Sequence, residues 1–203
     1  LESIKVFGSY VIAAVGWEGV RAFDVSNPAE IQPAGAMQTN QHVYDLAIDS
    51  KGYAYLANEW GGLKVIDISD PEDPSFAGGL GVSLNYNSRS IDIFDNYAYL
   101  AGNKPEGAVL SIIDISDPLS PKLVDSLEID TDHVFDQVDF TWAYAFVGSG
   151  SDGVRIISPQ TVLGLEDDVL SFEIPVVNAG DYSFSLDGVS SQKGMTVDAA
   201  GTV

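Results

Sequence analysis

The sequence predicts an all-β protein assembled from repeated, four-stranded antiparallel units. Three observations support this prediction: a short motif returns with a nearly constant period, each period holds four short β-rich runs, and turn residues separate those runs. No part of the repeat requires a helix. A unit of about 40 to 45 residues with four strands, repeated head to tail, is the sequence signature of a β-propeller blade.

The repeated motif carries an apolar run that ends in an Asp-x-Ser-Asn/Asp-Pro turn. Its four copies are residues 19–28 (GVRAFDVSNP), 62–71 (GLKVIDISDP), 110–118 (LSIIDISDP) and the divergent 153–159 (GVRIISP). The shift from the first copy to the second is 43 at every position. A second repeated strand that opens with an aromatic residue precedes each copy, as YAYLA does at residues 53–57 and 97–101.

The second copy shows the four strands of one period most clearly. We predict strands at residues 43–48, 53–57, 63–68 and 76–82. The segments between them contain Asp-Ser-Lys-Gly, Gly-Gly and Asp-Pro-Glu-Asp-Pro, which are typical of tight turns or cannot continue a hydrogen-bonded ladder. Residues 63–68 and 110–115 are apolar almost throughout, which indicates sheets that are buried on both faces.

These motifs resemble the LVIVD repeat. The best matches are GLKVIDISDP at residues 62–71 and LSIIDISDP at residues 110–118, each preceded by YAYLA. The resemblance covers roughly residues 3–160. It implies a β-propeller of the kind found in bacterial and archaeal proteins, many of them exported or anchored at the cell surface. It implies no shared activity and no site residue.

We expect two regions in the chain. Residues 1–168 form the propeller, with blades at approximately 3–38, 42–83, 88–129 and 133–168, the last with an outer strand from residues 162–169. Four blades are the lower limit for a closed ring, so the chain is either a closed four-bladed propeller or, as we favour, part of a larger ring. The period is lost after residue 168, and residues 169–203 form a β-hairpin or the start of a β-sandwich module.

Composition excludes several classes of function. The chain has 203 residues and a formal charge of -21, which argues against nucleic acids and anionic membranes as partners. The absence of Cys excludes disulfides, thiolate catalysis and thiolate metal sites. No apolar run is long enough to span a membrane. The first residues lack the features of a signal peptide, and a leader and further domains of the same chain are expected outside the given sequence.

Three repeated carboxylates have a structural role by this reading. Asp24, Asp67 and Asp114 occupy one repeat position, whereas a catalytic group is needed only once. We expect each carboxylate to accept backbone hydrogen bonds in the turn that follows its strand.

Two His residues are the first candidates for chemistry. His42 and His133 open strands that would line the central channel, and the intervening blade offers Arg89 at a comparable place. With Asp45, Asp136 and Asp132 they could provide imidazole and carboxylate ligands near the axis. A cationic Arg89 would repel a metal ion, so a purely structural role for both His residues is the alternative that we favour.

Fragments of calcium-loop sequence occur near the fourth repeat. Asp130, Asp132 and Asp152 stand beside Asp, Ser and Gly residues, yet no complete twelve-residue loop is present. Calcium is therefore only a candidate ligand, and no other cofactor is expected. Trp17 and Trp60 share a repeat position, for which blade packing is favoured over a carbohydrate-stacking platform.

Two hypotheses of function remain. The favoured one is a non-enzymatic, extracellular or cell-surface propeller that acts in protein interaction or assembly, including filaments or surface layers, with another protein or itself as partner. The alternative is a ligand-binding or metal-dependent enzyme propeller that uses the channel mouth around His42, Arg89 and His133.

Overall fold

The protein is built from four antiparallel sheets of four strands each. The structure is a computed structural model that describes residues 1–81, 84–129, 135–140, 144–148, 154–157 and 173–174. Within these residues every sheet takes four strands that are consecutive in the chain, in their chain order. The sheets are the blades of a β-propeller that forms a partial ring, and the predicted fold class is confirmed.

The strands have the following bounds. Blade 1 contains β1 (Ser3–Phe7), β2 (Tyr10–Ala14), β3 (Val20–Asp24) and β4 (Gln32–Met37). Blade 2 contains β5 (Asp45–Ile48), β6 (Tyr53–Ala57), β7 (Leu63–Asp67) and β8 (Ser75–Leu80). Blade 3 contains β9 (Asn87–Phe94), β10 (Tyr97–Lys104), β11 (Gly107–Asp114) and β12 (Lys122–Ile129). Blade 4 contains β13 (Gln137–Phe140), β14 (Ala145–Gly148), β15 (Val154–Ile157) and β16 (Glu173–Ile174).

The turn between β5 and β6 shows why the sequence forms hairpins at these places. One carboxylate oxygen of Asp49 accepts hydrogen bonds from the backbone N–H groups of Lys51 and Tyr53, both at 2.9 Å. Gly52 has a φ of +90°, which a residue with a side chain would adopt only with strain. The Asp-Ser-Lys-Gly sequence therefore fixes both the turn and the register of the two strands.

Each blade packs against its neighbours through two faces. The forward face of a blade carries the side chains directed at the next blade, and the back face carries those directed at the preceding one. Apolar clusters join blades 1 and 2, blades 2 and 3, and blades 3 and 4. On β5, Ala47 belongs to the forward cluster and Leu46 to the back cluster, as the two-residue alternation of a strand requires.

The predicted burial of the repeated strands on both faces is confirmed. On β7, Leu63 and Val65 pack toward blade 3, whereas Ile66 packs toward blade 1. All three side chains are buried. An almost uninterrupted apolar run is thus the consequence of a sheet with a neighbour on each side.

The structural role predicted for the repeated carboxylates is also confirmed. The carboxylates of Asp24, Asp67 and Asp114 each accept a hydrogen bond from the backbone N–H two residues later, at 2.8, 2.9 and 2.8 Å. These bonds lower the pKa of Asp24 and Asp114, because they favour the ionised carboxylate.

Blade 4 takes its outer strand from an unexpected part of the sequence. Val154 and Arg155 of β15 pair with residues of β16, which begins at Glu173. This strand lies beyond residue 168, in the segment that the sequence analysis assigned to the tail; residues 162–169, the expected donor, lie outside the described residues. The repeat motif has faded there, so the sequence holds no periodic signal for the strand.

Among the described residues, no helix combines the length and the apolar character needed to cross a bilayer.

Candidate functional site

The first strands of the four blades surround a common channel. The partner positions on the second strands identify equivalent residues: Ser3 pairs with Ala14, Asp45 with Ala57, Ser90 with Ala101 and Gln137 with Gly148. A cavity of about 270 Å³ at one end of the channel, the mouth, is lined by these four residues and the residue before each: Glu2, Tyr44, Arg89 and Asp136. The mouth is therefore built from the same two positions of every blade.

A second cavity of about 470 Å³ continues along the channel. Its walls include Lys5, Asp92 and Asp139, which stand two residues beyond the mouth on β1, β9 and β13. Burial raises the pKa of Asp92, and the negative charge of Asp139 raises it further. The channel is thus predominantly acidic, with Lys5 and Arg89 as the cations among its described lining residues.

Hydrogen bonds from forward-face side chains connect the first strands of successive blades. The Asp45 carboxylate accepts from the Ser90 hydroxyl at 2.7 Å and from the Ile91 N–H at 3.1 Å. The Ser90 oxygen in turn accepts from the Val138 N–H at 3.1 Å. One pair deeper, the Asp92 carboxylate accepts from the Phe140 N–H at 2.7 Å. The same type of contact therefore recurs from blade 2 to 3 and from blade 3 to 4.

Arg89 is the cation of the mouth. Its guanidinium carbon lies 4.2 Å from the centre of the Tyr44 ring, a cation–π geometry. Its Nε atom is buried and finds no hydrogen-bond partner among the described residues. Arg89 can therefore offer N–H donors to an acceptor that enters the mouth.

His42 lies behind the mouth and does not line it. Its ring is 4.3 Å from that of Tyr44 and 5.5 Å from that of Trp17, measured between ring centres. Its Nε2 atom lies 3.6 Å from a Glu2 carboxylate oxygen. Gly16 leaves room for the imidazole, since a Cβ atom there would lie 2.8 Å from Nε2. The surroundings of His42 hold the ring in place and give it no access to the cavity.

The predicted site residues thus separate into three groups. Arg89 and Asp136 line the mouth, whereas His42 packs beside it. His133 and three of the predicted metal ligands lie outside the described residues: Asp130, Asp132 and Asp152. Within the described part of the chain, no three His, Asp or Glu side chains come close enough to hold a metal ion.

The prediction that Trp17 and Trp60 pack between blades is wrong. Their side chains are 64% and 48% exposed, respectively. Both stand in the turn between the second and third strands of a blade, where the side chain projects beyond the end of the sheet. The shared repeat position correctly indicated a shared location, but it did not indicate burial.

The back face of blade 1 differs from those of the other blades in the exposure of its side chains. Its β1 side chains, Ile4 and Val6, are 55% and 70% exposed. The equivalents of Ile4 in the other blades are buried against a preceding blade: they are Leu46, Ile91 and Val138. The equivalents of Val6 are partly buried there: they are Ile48, Ile93 and Phe140. We call the surface formed by Ile4 and Val6, with Val11 and Phe23 beside them, the free face.

Comparison with known proteins identifies the repeat. The LVIVD repeat family model matches residues 2–39, 42–80 and 87–128, more than half of the chain. The chain belongs to the LVIVD repeat family. No curated protein matches the sequence.

Several solved structures have a fold similar to that of this LVIVD repeat chain. It is similar to the computationally designed Ika8 protein, with a TM-score of 0.62 and 12% identity over 91% of this chain and 54% of that one. It is also similar to the computationally designed Ika4 protein, with a TM-score of 0.55 and 15% identity over 77% of this chain and 89% of that one. A third similar structure is a structural genomics protein of unknown function from Bacteroides thetaiotaomicron, with a TM-score of 0.58 and 12% identity, covering 77% of this chain and 40% of that one. This chain therefore spans about half of Ika8 and two fifths of the Bacteroides protein. At these identities the likeness concerns the fold alone.

Proposed function

We propose that this LVIVD propeller is a non-enzymatic, extracellular or cell-surface module that acts through protein interaction and assembly. One observation carries the proposal: the free face of blade 1 exposes Ile4 and Val6, whereas in the other blades the equivalents of Ile4 are buried between blades and those of Val6 are partly buried there. A protein partner that covers this face would complete the packing that the other three blades already have.

The energetics favour coverage of this face. Burying an Ile or Val side chain contributes about 1.5–3 kcal/mol relative to leaving it in water. Val11 and Phe23 are half-buried on the same side of the sheet and extend the apolar surface beyond β1. Exposed apolar patches of this kind on soluble proteins mark interaction sites.

The hydrogen bonds of the channel side chains favour a structural role over a catalytic one. The Ser90 hydroxyl donates to Asp45 and accepts from the Val138 N–H, so both functions of this group serve to link blades. Asp92 is likewise engaged with the Phe140 N–H. Polar side chains at the axis thus hold the blades together.

Membership of the LVIVD repeat family and the charge both support the proposed extracellular setting. Many proteins with LVIVD repeats are exported or anchored at the cell surface. A formal charge of -21 favours solubility of a repetitive β surface, because like charges oppose unspecific edge-to-edge association.

The test compares complexes formed by the parent and by an Ile4→Ser, Val6→Ser double variant. Each protein is studied by size-exclusion light scattering, alone and after incubation with a surface extract of the source cells. We expect the parent to enter defined complexes and the double variant to be lost from them. A Phe76→Ser, Leu119→Ser variant is the matched control, because it removes two equally exposed apolar side chains outside the free face. Complexes that form equally well with the double variant would refute the proposal.

Ligand binding at the mouth is a second candidate, supported by Arg89. A guanidinium with an unpartnered Nε–H at a cavity of about 270 Å³ suits a small carboxylate ligand. Calorimetric titration with acetate, succinate and glutamate tests this candidate. Binding should disappear in Arg89→Gln and persist in Arg21→Gln, whose guanidinium pairs with Glu18 on the surface. Absence of heat with the parent for all three compounds would remove the candidate.

A further inference from the structure

We propose that the partner of the free face is a second copy of this chain, which docks the forward face of its blade 4 there. This inference rests on the proposed function and names the partner. The contact would repeat, between molecules, the packing that joins blades 1 to 2, 2 to 3 and 3 to 4 within one molecule.

The strand register shows which forward-face side chain packs on the back face of the next blade. At the interface of blades 3 and 4, Phe140 of β13 packs on the forward face of blade 3 and stacks on Tyr99, with ring centres 4.0 Å apart and an interplanar angle of 14°. Val6 is the equivalent of Phe140 on β1. On the free face, Val6 therefore lies where a large forward-face side chain would pack, as Tyr99 packs on Phe140.

Blade 4 presents such a side chain. Phe146 of β14 is opposite Asp139, just as Tyr99 of β10 is opposite Asp92. Tyr55 occupies the same position in blade 2 and is fully buried against blade 3. Phe146, in contrast, is only half-buried and lines the second cavity with Val154, beside Ser3 and Lys5 of blade 1. Among the described residues, blade 1 thus has an uncovered back face and blade 4 has a forward face that is only partly covered.

Hydrogen bonding supports the same pairing. The Asp92 carboxylate accepts the Phe140 N–H across the interface of blades 3 and 4. The equivalents are Asp139 on blade 4 and the Val6 N–H on blade 1. In the same way, the contact of Ser90 with the Val138 N–H corresponds to Gln137 with the Ile4 N–H. The second copy would supply acceptors for both N–H groups.

The contact joins two different faces, so it is heterologous. Such contacts close a ring of two copies when the rotation allows it, and otherwise extend into longer chains. Charge opposes the association, since each copy carries -21. Added salt screens this repulsion and should strengthen the complex.

The experiment uses sedimentation equilibrium of the full 203-residue chain from micromolar to hundreds of micromolar concentration. Val6→Glu disables the free face, and Phe146→Glu disables the forward face of blade 4. Leu119→Glu is the control, since Leu119 is 62% exposed outside both faces. Circular dichroism confirms that each variant is folded, and Asp139→Ala provides a second, milder variant of the forward face. We expect the parent and the control to associate, and each face variant to raise the dissociation constant roughly tenfold or more.

Mixing the two variants decides the polarity of the contact. A Val6→Glu copy retains an intact blade 4, and a Phe146→Glu copy retains an intact free face. An equimolar mixture should therefore recover a one-to-one complex that neither variant forms alone. Self-association of Phe146→Glu at the level of the parent would overturn the inference, because it would show that two free faces bind each other.

A parent chain that stays monomeric throughout would also overturn the inference. The proposed function would survive that result if the Ile4→Ser, Val6→Ser variant still loses complexes with another surface protein. It would fall as well if no complex depends on the free face.

Discussion

The Ser90 hydroxyl donates a hydrogen bond of 2.7 Å to the Asp45 carboxylate and thereby joins the first strands of blades 2 and 3. Ser90 is the repeat equivalent of Asp45 itself, since each pairs with the last Ala of a YAYLA segment, Ala101 and Ala57 respectively. One repeat position thus acts as acceptor in blade 2 and as both donor and acceptor in blade 3. The chain uses divergence at this position to connect blades in series.

Replacement of Ser90 by Ala should weaken the propeller. The variant leaves the Val138 N–H without its acceptor in a buried setting, so the free energy of unfolding should fall by about 1–3 kcal/mol. Urea denaturation followed by circular dichroism measures this loss. Ser126→Ala, at an exposed position of β12, should change stability by less than about 0.5 kcal/mol. Equal effects of the two substitutions would argue against the linking role of Ser90.

A matched pair of substitutions tests the difference between a covered and a free back face. Leu46→Ala should lower the free energy of unfolding by about 2–5 kcal/mol, because Leu46 is fully buried between blades 1 and 2. Ile4→Ala changes the equivalent position of blade 1, where the side chain is exposed, and should cost about 0.5 kcal/mol or less. Denaturation is measured at dilution, where copies do not associate. A large loss for Ile4→Ala under these conditions would mean that blade 1 has a covered back face within one molecule.

Stability should fall in acid because of the repeated turn carboxylates. The pKa values of Asp24 and Asp114 are lowered in the folded protein by the N–H groups of Ser26 and Ser116. Their contribution is therefore present above the unfolded pKa of about 3.9 and is lost as the pH falls through the lower folded value. The Asp24→Asn, Asp114→Asn variant should show a smaller decrease in unfolding free energy between neutral and acidic pH.

Asp73→Asn is the control for this pH profile. Asp73 is exposed in a turn, and no side-chain hydrogen bond of its carboxylate is found among the described residues. Its profile should follow that of the parent. A double variant whose profile also follows the parent would contradict the assigned role of the two carboxylates.

Two glycines with similar backbone angles test the packing of His42. Gly8 and Gly16 have φ values of +59° and +63°, so an Ala at either should cost about 1 kcal/mol from backbone strain. A Cβ at Gly8 meets open space, whereas at Gly16 it would lie 2.8 Å from His42 Nε2. Gly16→Ala should therefore be the more destabilising substitution and should alter the fluorescence of Trp17. Identical losses and spectra would contradict the described contact.

The blades, the turns and the burial on both faces could be predicted because each corresponds to a local residue pattern that recurs in every repeat. Asp67 returns with its turn, and the apolar run of β7 reflects neighbours on both sides. The residues of the channel mouth were less predictable. Counting along the chain placed Arg89 in the position of His42, but strand pairing makes Arg89 the equivalent of Tyr44 and Asn87 that of His42.

Strand pairing is also locally irregular beside Arg89. In blade 3, the register shifts between Ala101 and Gly102, where β9 has one extra residue relative to β10. Such bulges change the length of a repeat without changing its motif. The exposure of Ile4 and Val6 was not predictable from the sequence, because both are apolar like their more buried equivalents. What distinguishes them is that no described blade packs against the back face of blade 1.

The measurement that tests the central claim most directly is photochemical carbene labelling of the back-face side chains, read by mass spectrometry. In a dilute sample, Ile4 and Val6 should be labelled strongly, while Leu46 and Ile91, the equivalents of Ile4, should stay protected. Labelling of Ile4 and Val6 should decrease as the concentration rises and copies dock on the free face. If Ile4 and Val6 are as protected as Leu46 at every dilution, the ring is closed within one chain and the account of an open propeller that assembles through blade 1 is wrong.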